Sequence, residues 1–166
     1  MVNEFSDFAR MPKPILKKID LNKVISRSLN LLKLSEENIS FKENKSKHYI
    51  NADEEQLNRM FINLIKNSIE SIHTKINKNV DYQGKIDIDI SLDSDYIYVT
   101  IVDNGIGFDQ VDKKKMVTPY FTTKIKGTGL GLAVVTKIIS DHNSLIFFNT
   151  IANGAKVEIT IPKYYD

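Results

Sequence analysis

The chain has 166 residues, enough for one domain with a short appendage, and its 42% hydrophobic and 27% charged residues are typical of a folded globular protein. It contains no cysteine, which excludes disulfides, thiolate zinc sites and thiol nucleophiles. The net charge of +2 is too small to indicate a nucleic-acid partner. No apolar run approaches the roughly 20 residues that span a bilayer, so we expect no membrane contact by these residues.

The N-terminal residues predict the end of a helix followed by a stiff joint. Val2, Phe5 and Phe8 recur at helical spacing, and Pro12 and Pro14 end the run. We therefore expect two parts, with residues 1–14 as a helix end and linker and residues 15–166 as one domain.

Two helices and two short strands are expected in the first half of that domain. Asp20 precedes one amphipathic helical run, and short strands are expected at residues 39–42 and 47–51. A long helix is expected from about 53 to 77, with Asp53 as its N-cap and Gln56 as the capping-box partner.

The second half predicts two hairpins and one helix. Strands are expected at residues 85–92 and 96–102, joined by a turn at Ser94 and Asp95. A helix is expected at residues 128–141. It is followed by strands at 145–151 and 155–161 that form a hairpin around Asn153-Gly154. This order indicates an α+β fold, in which a mixed, mostly antiparallel sheet is covered on one face by helices.

A polar stripe follows the long predicted helix, because Asn63, Asn67 and Glu70 stack opposite its apolar face. A solvated surface is one interpretation of this stripe. Asparagine is a poor helix former, however, and carboxamides on one stripe can coordinate a hard cation such as Mg²⁺ and bond to phosphate oxygens. Both interpretations stay open on this helix alone.

A glycine-containing segment follows the strand at 96–102, with Asp103, Gly105 and Gly107 in alternation. Aspartate and glycine are common in turns, which is one interpretation. In the other, Asp103 lies at the mouth of a sheet and accepts a hydrogen bond from an exocyclic amine such as that of adenine. The two glycines would then let the backbone approach the ligand.

A second glycine motif stands at the start of the helix at 128–141. Gly127, Gly129 and Gly131 weaken a helix, but they leave backbone N–H groups able to face an anion such as phosphate. A Walker A loop would need Gly-Lys-Ser/Thr, and a dinucleotide fingerprint would need a strand just before it; the sequence has neither. The stretch from about 108 to 126 is either a solvated basic loop or a lid, in which Lys124 or Lys126 could reach a β- or γ-phosphate.

Taken together, these motifs resemble the N, G1, F and G2 boxes of the catalytic ATP-binding domain of sensor histidine kinases. The boxes correspond to residues 63–67, 103–107, 119–124 and 127–132, in the family's order and spacing. The stretches PYFTTK and NSIES are similar to those of the nitrogen-regulation (NtrY/NtrB-like) group. The resemblance covers about residues 20–162, and the N-terminal stretch resembles the end of the second helix of a dimerisation and histidine-phosphotransfer domain.

The resemblance implies a Bergerat-type α/β sandwich that binds Mg²⁺-ATP and transfers the γ-phosphoryl group to a histidine. By this resemblance, Asn67 would be a Mg²⁺ ligand and Asn63 would contact phosphate or Mg²⁺. Asp103 would accept a hydrogen bond from the adenine amine, and Phe121 would anchor a lid. Asn67 and Lys124 would be the catalytic residues. The other nucleotide-binding residues that it implies are Lys66, Gly105, Gly107, Thr123, Gly127, Thr128, Gly129, Leu130, Gly131 and Leu132.

None of the three histidines, His48, His73 and His142, fits the family's phosphoacceptor. We therefore expect the acceptor on a dimerisation and phosphotransfer domain outside these residues, in a parent homodimer. That domain and a response regulator are the expected partners. The domain itself is expected to be cytoplasmic, while a parent anchored in the inner membrane and a wholly cytoplasmic parent both stay open.

Two other functions are compatible with the same pocket. A stand-alone nucleotide-binding module, or a serine kinase of the anti-sigma-factor type, would use the same residues, although the helix end at 1–14 argues against it. An ATPase of the chaperone or topoisomerase kind is disfavoured. Those enzymes carry an acid that activates water on the asparagine-bearing helix, and four residues before Asn67 this chain has Asn63.

Overall fold

Ten regular elements make up the part of the chain that the computed structural model describes, which is residues 11–32, 38–43, 45–108 and 131–166. In chain order they are β1 (Lys17–Asp20), α1 (Leu21–Leu31), β2 (Ile39–Phe41), β3 (Tyr49–Ala52), α2 (Glu54–Lys78), β4 (Ile86–Leu92), β5 (Tyr96–Asp103), α3 (Gly131–Asp141), β6 (Leu145–Ile151) and β7 (Gly154–Pro162).

A five-stranded sheet in the order β2-β4-β5-β7-β6 forms one layer. β2 and β4 run parallel, and every other neighbouring pair is antiparallel. Because side chains alternate across a strand, one face of β5 buries Ile97, Val99 and Ile101, and the helices pack on that face in one continuous core. The predicted α+β sandwich with a mixed, mostly antiparallel sheet is confirmed.

A second, two-stranded sheet joins β1 to β3 in antiparallel register, with Ile19 opposite Ile50. The sequence did not predict β1, because four residues reading Lys-Lys-Ile-Asp carry no alternating pattern and become a strand through their partner. The predicted strand at 47–51 lies slightly later, at Tyr49–Ala52. His48 consequently precedes this strand, where it is buried.

The long helix α2 is the centre of the helical layer, with α1 and α3 packed against it. Its predicted apolar face is confirmed, since no member is more than 7% exposed. The members are Leu57, Met60, Phe61, Leu64, Ile65 and Ile72. His73, which also lies on this helix, is exposed. None of the helices described is both long enough and apolar enough to cross a bilayer.

Of the two hydrogen bonds in the predicted capping box, only one is present at the N-terminus of α2. Asp53 is the N-cap, and its Oδ1 accepts a hydrogen bond from the Gln56 backbone N–H at 3.1 Å. The prediction of the reciprocal bond, from the Asp53 N–H to the Gln56 side-chain oxygen, is wrong. Gln56 Nε2 donates to the Pro12 carbonyl at 3.0 Å. The Asp53 backbone N–H donates instead to His142 Nε2, also at 3.0 Å. A tertiary contact has therefore replaced a local one.

The hairpin between β6 and β7 turns one residue earlier than predicted. Its loop is Ala152 and Asn153, and Ile151 pairs with Gly154, which already belongs to β7. Gly154 has a φ of +141°, and a Cβ there would collide with the carbonyl oxygen of Asp103. Glycine is therefore required at this position by close strand packing rather than by the turn.

Candidate nucleotide-binding site

The carboxylate of Asp103 is buried at the end of a central strand, with only 4% of the residue exposed. Asp103 ends β5, where it lies between Ile86 of β4 and Ala155 of β7. Its Oδ1 accepts a hydrogen bond from the Gly105 backbone N–H at 2.9 Å. Burial raises the pKa of Asp103 above its ordinary value, while hydrogen bonds from Gly105, Ser68 and Ala155 oppose that rise.

The two glycines that follow Asp103 are fixed by close backbone contacts. A Cβ on Gly105 would collide with Ser71 Oγ, which also accepts a hydrogen bond from the Ile106 N–H at 2.9 Å. Gly107 has a φ of +75°, and a Cβ there would lie 2.8 Å from the Gly154 carbonyl oxygen. This segment is therefore pinned between α2 and β7, and it presents backbone rather than side chains.

A polar stripe on α2 leads away from this segment. Asn63, Asn67, Ser71 and Lys75 recur every four residues, so consecutive members are separated by about 6 Å along the helix axis. Asn63 and Asn67 are half-buried. At the other end, Lys75 Nζ donates to the Asn104 carbonyl at 3.2 Å. The stripe therefore connects the segment beside Asp103 to the N-terminal half of α2.

The described part of the chain contains only some of the predicted site residues. Gly131 and Leu132 open α3, which packs on α2, and a Cβ on Gly131 would meet no described atom within 4 Å. Lys66 is exposed on α2. Most of the predicted lid and glycine motif lies outside the described residues, namely Phe121, Thr123, Lys124, Gly127, Thr128, Gly129 and Leu130.

Several residues that support this site were missed from the sequence. Ser68, Ser71 and Lys75 all interact with Asp103 or with the segment after it. Extending the Asn63–Asn67 spacing by further steps of four would have pointed to Ser71 and Lys75. Tyr82, whose Oη donates to the Asn104 carbonyl, was also missed, because the loop that carries it has no periodicity from which this contact could be predicted.

The side chains on this stripe that could hold a metal ion are carboxamides rather than charged groups. Within the described ranges there is no cluster of three or more histidine, aspartate or glutamate side chains that could hold a metal. Asn63 and Asn67 can offer one amide oxygen each. Magnesium prefers six oxygen ligands and keeps several waters, so this pair fits a partial set completed by water and phosphate.

The sequence matches the family model for histidine kinase-, DNA gyrase B- and HSP90-like ATPases over residues 52–165. It is 33% identical over 164 residues to nitrogen regulation protein NtrY of Azorhizobium caulinodans, covering 97% of this chain and 21% of that protein. A putative sensor histidine kinase, NtrY-like, of Rickettsia conorii is 35% identical over 162 residues, which is 96% of this chain and 26% of the relative. The chain thus spans about a quarter or less of these relatives' length.

Solved structures give the same result. The catalytic domain of histidine kinase ThkA, in a nucleotide-free form, superposes with a TM-score of 0.73 at 30% identity, covering 90% of this chain and 98% of that one. ThkA in complex with response regulator TrrA superposes with a TM-score of 0.76, at 23% identity and over 98% of this chain and 46% of that one, which shows the shared fold. The chain belongs to the histidine kinase-, DNA gyrase B- and HSP90-like ATPase family, and within it to the catalytic ATP-binding domains of NtrY-like sensor histidine kinases.

Proposed function

We propose that this domain binds Mg²⁺-ATP and supplies its γ-phosphoryl group to a histidine on a dimerisation and phosphotransfer domain. The observation that carries the proposal is the buried Asp103 carboxylate at the end of β5. The segment after it bonds to Ser71 on α2, on the stripe that also carries the carboxamides of Asn63 and Asn67. Burying a carboxylate lowers stability unless hydrogen-bond donors or positive charges compensate for the lost water. An exocyclic amine of a ligand is one such donor.

The base of the nucleotide is assigned to the segment around Asp103. The carboxylate accepts a hydrogen bond from the adenine amine, while Gly105 and Gly107 allow the ring to approach the backbone. The hydrogen bond from Gly105 to Asp103 Oδ1 supports this assignment, because it orients the carboxylate next to the backbone segment that the ring would approach.

The phosphates are assigned to the N-terminal half of the same helix and to the start of α3. Asn67 and Asn63 provide amide oxygens for Mg²⁺ or amide donors for phosphate, with Lys66 nearby on α2. A bound Mg²⁺ ion would neutralise the developing phosphate charge. The sequence assigns the anion cradle to Gly127, Thr128, Gly129, Leu130, Gly131 and Leu132, and the lid contacts to Phe121, Thr123 and Lys124.

The transfer step needs positioning more than covalent chemistry from this domain. A histidine ring nitrogen attacks the γ-phosphorus, the bond from that phosphorus to the bridging oxygen breaks, and ADP leaves with the electron pair. The attacking nitrogen uses its lone pair, and the proton on the other ring nitrogen of the resulting imidazolium passes to solvent or a neighbouring base. His48 and His142 are buried at 5% and 7% exposure, and exposed His73 is followed by Thr74 rather than by an acid, which supports an acceptor elsewhere.

The proposed partners follow from the relatives. ThkA has been solved with a response regulator, and we assign a response regulator as the acceptor of the phosphoryl group in the parent system of this chain too. The dimerisation and phosphotransfer domain is assigned as the first partner, and residues 1–14 as the end of its second helix and the linker. The domain is assigned to the cytoplasm.

Isothermal titration calorimetry with ATP and ADP in the presence of Mg²⁺ tests the binding site. Asp103→Ala should abolish measurable binding, and Asp103→Asn should weaken it by roughly a hundredfold, because its amide nitrogen would face the adenine amine. Asp89→Ala, on the exposed face of the same sheet, is the matched control and should bind as the wild type does. Unchanged affinity in a folded Asp103→Asn variant would contradict the site.

Radiolabelled ATP tests the reaction class. Incubation with a separately supplied NtrY-type dimerisation and phosphotransfer domain should transfer the γ-label to it as an acid-labile phosphohistidine. Label that appears on a serine of a partner protein would favour the serine kinase. Steady-state release of phosphate by the chain alone would favour a chaperone-type or topoisomerase-type ATPase.

A further inference from the structure

One peptide group links Asp103 to two side chains that have no assigned function. The N–H of the peptide between Asn104 and Gly105 donates to Asp103 Oδ1 at 2.9 Å. The carbonyl of the same peptide accepts two hydrogen bonds, from Tyr82 Oη at 2.5 Å and from Lys75 Nζ at 3.2 Å. Lys75 and Tyr82 therefore act on the peptide that contacts the candidate adenine-binding carboxylate.

The two side chains also fix each other. Lys75 Nζ lies 4.5 Å from the centre of the Tyr82 ring, in a cation–π contact. It donates a second hydrogen bond, to the Gly105 carbonyl, at 3.3 Å. Both residues are half-buried, so their contacts are partly shielded from water. We call Lys75 and Tyr82 the carbonyl clamp.

The Asn104 side chain anchors the same segment on its other side. Its Nδ2 donates to the Gln83 carbonyl at 2.9 Å, and its Oδ1 accepts from the Lys85 N–H at 2.6 Å. The Asn104 N–H donates to the Lys85 carbonyl at 3.2 Å. These groups are engaged on the loop before β4, whereas the Asn104 carbonyl accepts from the two clamp residues.

Hydrogen bonds in series polarise one another. A peptide whose carbonyl accepts from an ammonium and a hydroxyl becomes a stronger donor at its N–H, and a low local dielectric increases the effect. The strengthened donor faces a carboxylate that burial would otherwise push toward its neutral form. The clamp thus favours the ionised carboxylate and fixes the oxygen that faces Gly105.

We propose that Lys75 and Tyr82 are positioning residues for adenine recognition, which act through the Asn104–Gly105 peptide to hold the Asp103 carboxylate in its amine-accepting orientation. This inference rests on the proposed nucleotide-binding function and adds two residues to it. Neither residue contacts the base in this scheme. Their effect is therefore on the selectivity for the amine and not on the phosphates.

The test compares Lys75→Met and Tyr82→Phe with the wild type by calorimetry, using ATP and inosine triphosphate, which carries an oxygen in place of the exocyclic amine. Each variant should bind ATP about tenfold more weakly, and its preference for ATP over inosine triphosphate should fall. Lys75→Arg should retain most of the affinity, because a guanidinium can donate to both carbonyls and stack on Tyr82. Lys78 and Tyr96 are exposed, so Lys78→Met and Tyr96→Phe are matched controls that should bind both nucleotides as the wild type does.

Amide NMR spectra separate positioning from general damage. The Gly105 amide proton should move upfield in both clamp variants, because its hydrogen bond weakens, while the Ile106 amide bonded to Ser71 stays in place. Wild-type ATP affinity in folded clamp variants would overturn the inference and leave the proposed function intact. Failure of the wild type to bind ATP would instead overturn the proposed function, and the Gly105 shift would still test the clamp.

Discussion

At the scale of single residues, stability and function oppose each other at Asp103, because burial disfavours the ionised carboxylate that the proposed function uses. Burial at 4% exposure disfavours its charged form, and three hydrogen-bond donors and the nearby Lys75 ammonium only oppose that effect. An ionised carboxylate is the better acceptor for an amine. The domain thus keeps a destabilising charge where the proposed ligand needs it.

This opposition predicts a pH-dependent gain in stability for Asp103→Asn. Because the pKa of Asp103 is raised in the folded state, protonation favours folding, and the benefit is lost as pH rises from the ordinary aspartate pKa through the raised value. The free energy of unfolding of Asp103→Asn relative to wild type should therefore increase as pH rises through that window and then level off. Urea titrations from about pH 3.5 to about pH 7 measure it. A difference that decreases with rising pH would contradict the assignment.

At the scale of secondary-structure elements, local patterns predicted α2 and the two hairpins well. The apolar periodicity of 25 residues and the Asp53 cap placed α2 within one residue of its observed bounds. The alternation in β4 and β5 did the same for that hairpin. The features that the sequence did not predict depend on tertiary partners. β1 is a strand because it pairs with β3, and Gln56 bonds to Pro12 instead of completing the cap of α2.

The same distinction holds for the candidate site. Asp103 and the asparagines stand in recognisable motifs, so the sequence identified them. Tyr82 lies in an aperiodic loop, and its contact with the Asn104 carbonyl depends on how that loop folds back over β5. Because this contact joins residues 22 positions apart, no local sequence pattern predicts it.

The junction between α2 and α3 depends on His142. Its Nδ1 bonds to the Ile138 carbonyl at 2.7 Å, which makes Nε2 the acceptor for the Asp53 N–H at 3.0 Å. His142 is 7% exposed, so losing the ring leaves a donor with little access to water. One ring therefore connects the C-terminal end of α3 to the N-terminus of α2.

Replacing this histidine should destabilise the domain. His142→Ala should lower the free energy of unfolding by about 1–3 kcal/mol, because the Asp53 N–H loses its partner. His142→Gln, whose amide oxygen can replace the ring nitrogen as acceptor, should recover part of the loss. Urea denaturation measures both variants against His73→Ala, whose exposed side chain should change stability by less than about 0.5 kcal/mol. Equal effects at the two histidines would contradict a special role for the junction.

At the scale of the whole molecule, Asp53 joins three separate parts of the chain. One carboxylate oxygen caps α2 through Gln56, and the other accepts the Ile15 N–H at 2.9 Å. Its backbone N–H reaches His142 at the end of α3. Met11 packs partly against the core, so the segment before β1 lies along the N-terminus of α2. Residues 11–14, which belong to the proposed linker, are thus positioned in part by the residue that also caps the helix of the candidate site.

Serine at position 53 should separate these two roles. Its single hydroxyl oxygen can cap α2 but cannot also reach the linker, so Asp53→Ser should keep stability near the wild type while the Ile15 amide exchanges faster. Asp53→Ala removes both acceptors and should also lower the free energy of unfolding by about 1 kcal/mol. Hydrogen exchange read by NMR at Ile15, together with urea denaturation, measures the two effects. An Ile15 amide that stays protected in Asp53→Ser would mean that contacts of Met11 and Pro12 hold the linker without this carboxylate. Faster exchange would instead give one side chain control over how the preceding segment docks on the ATP-binding domain.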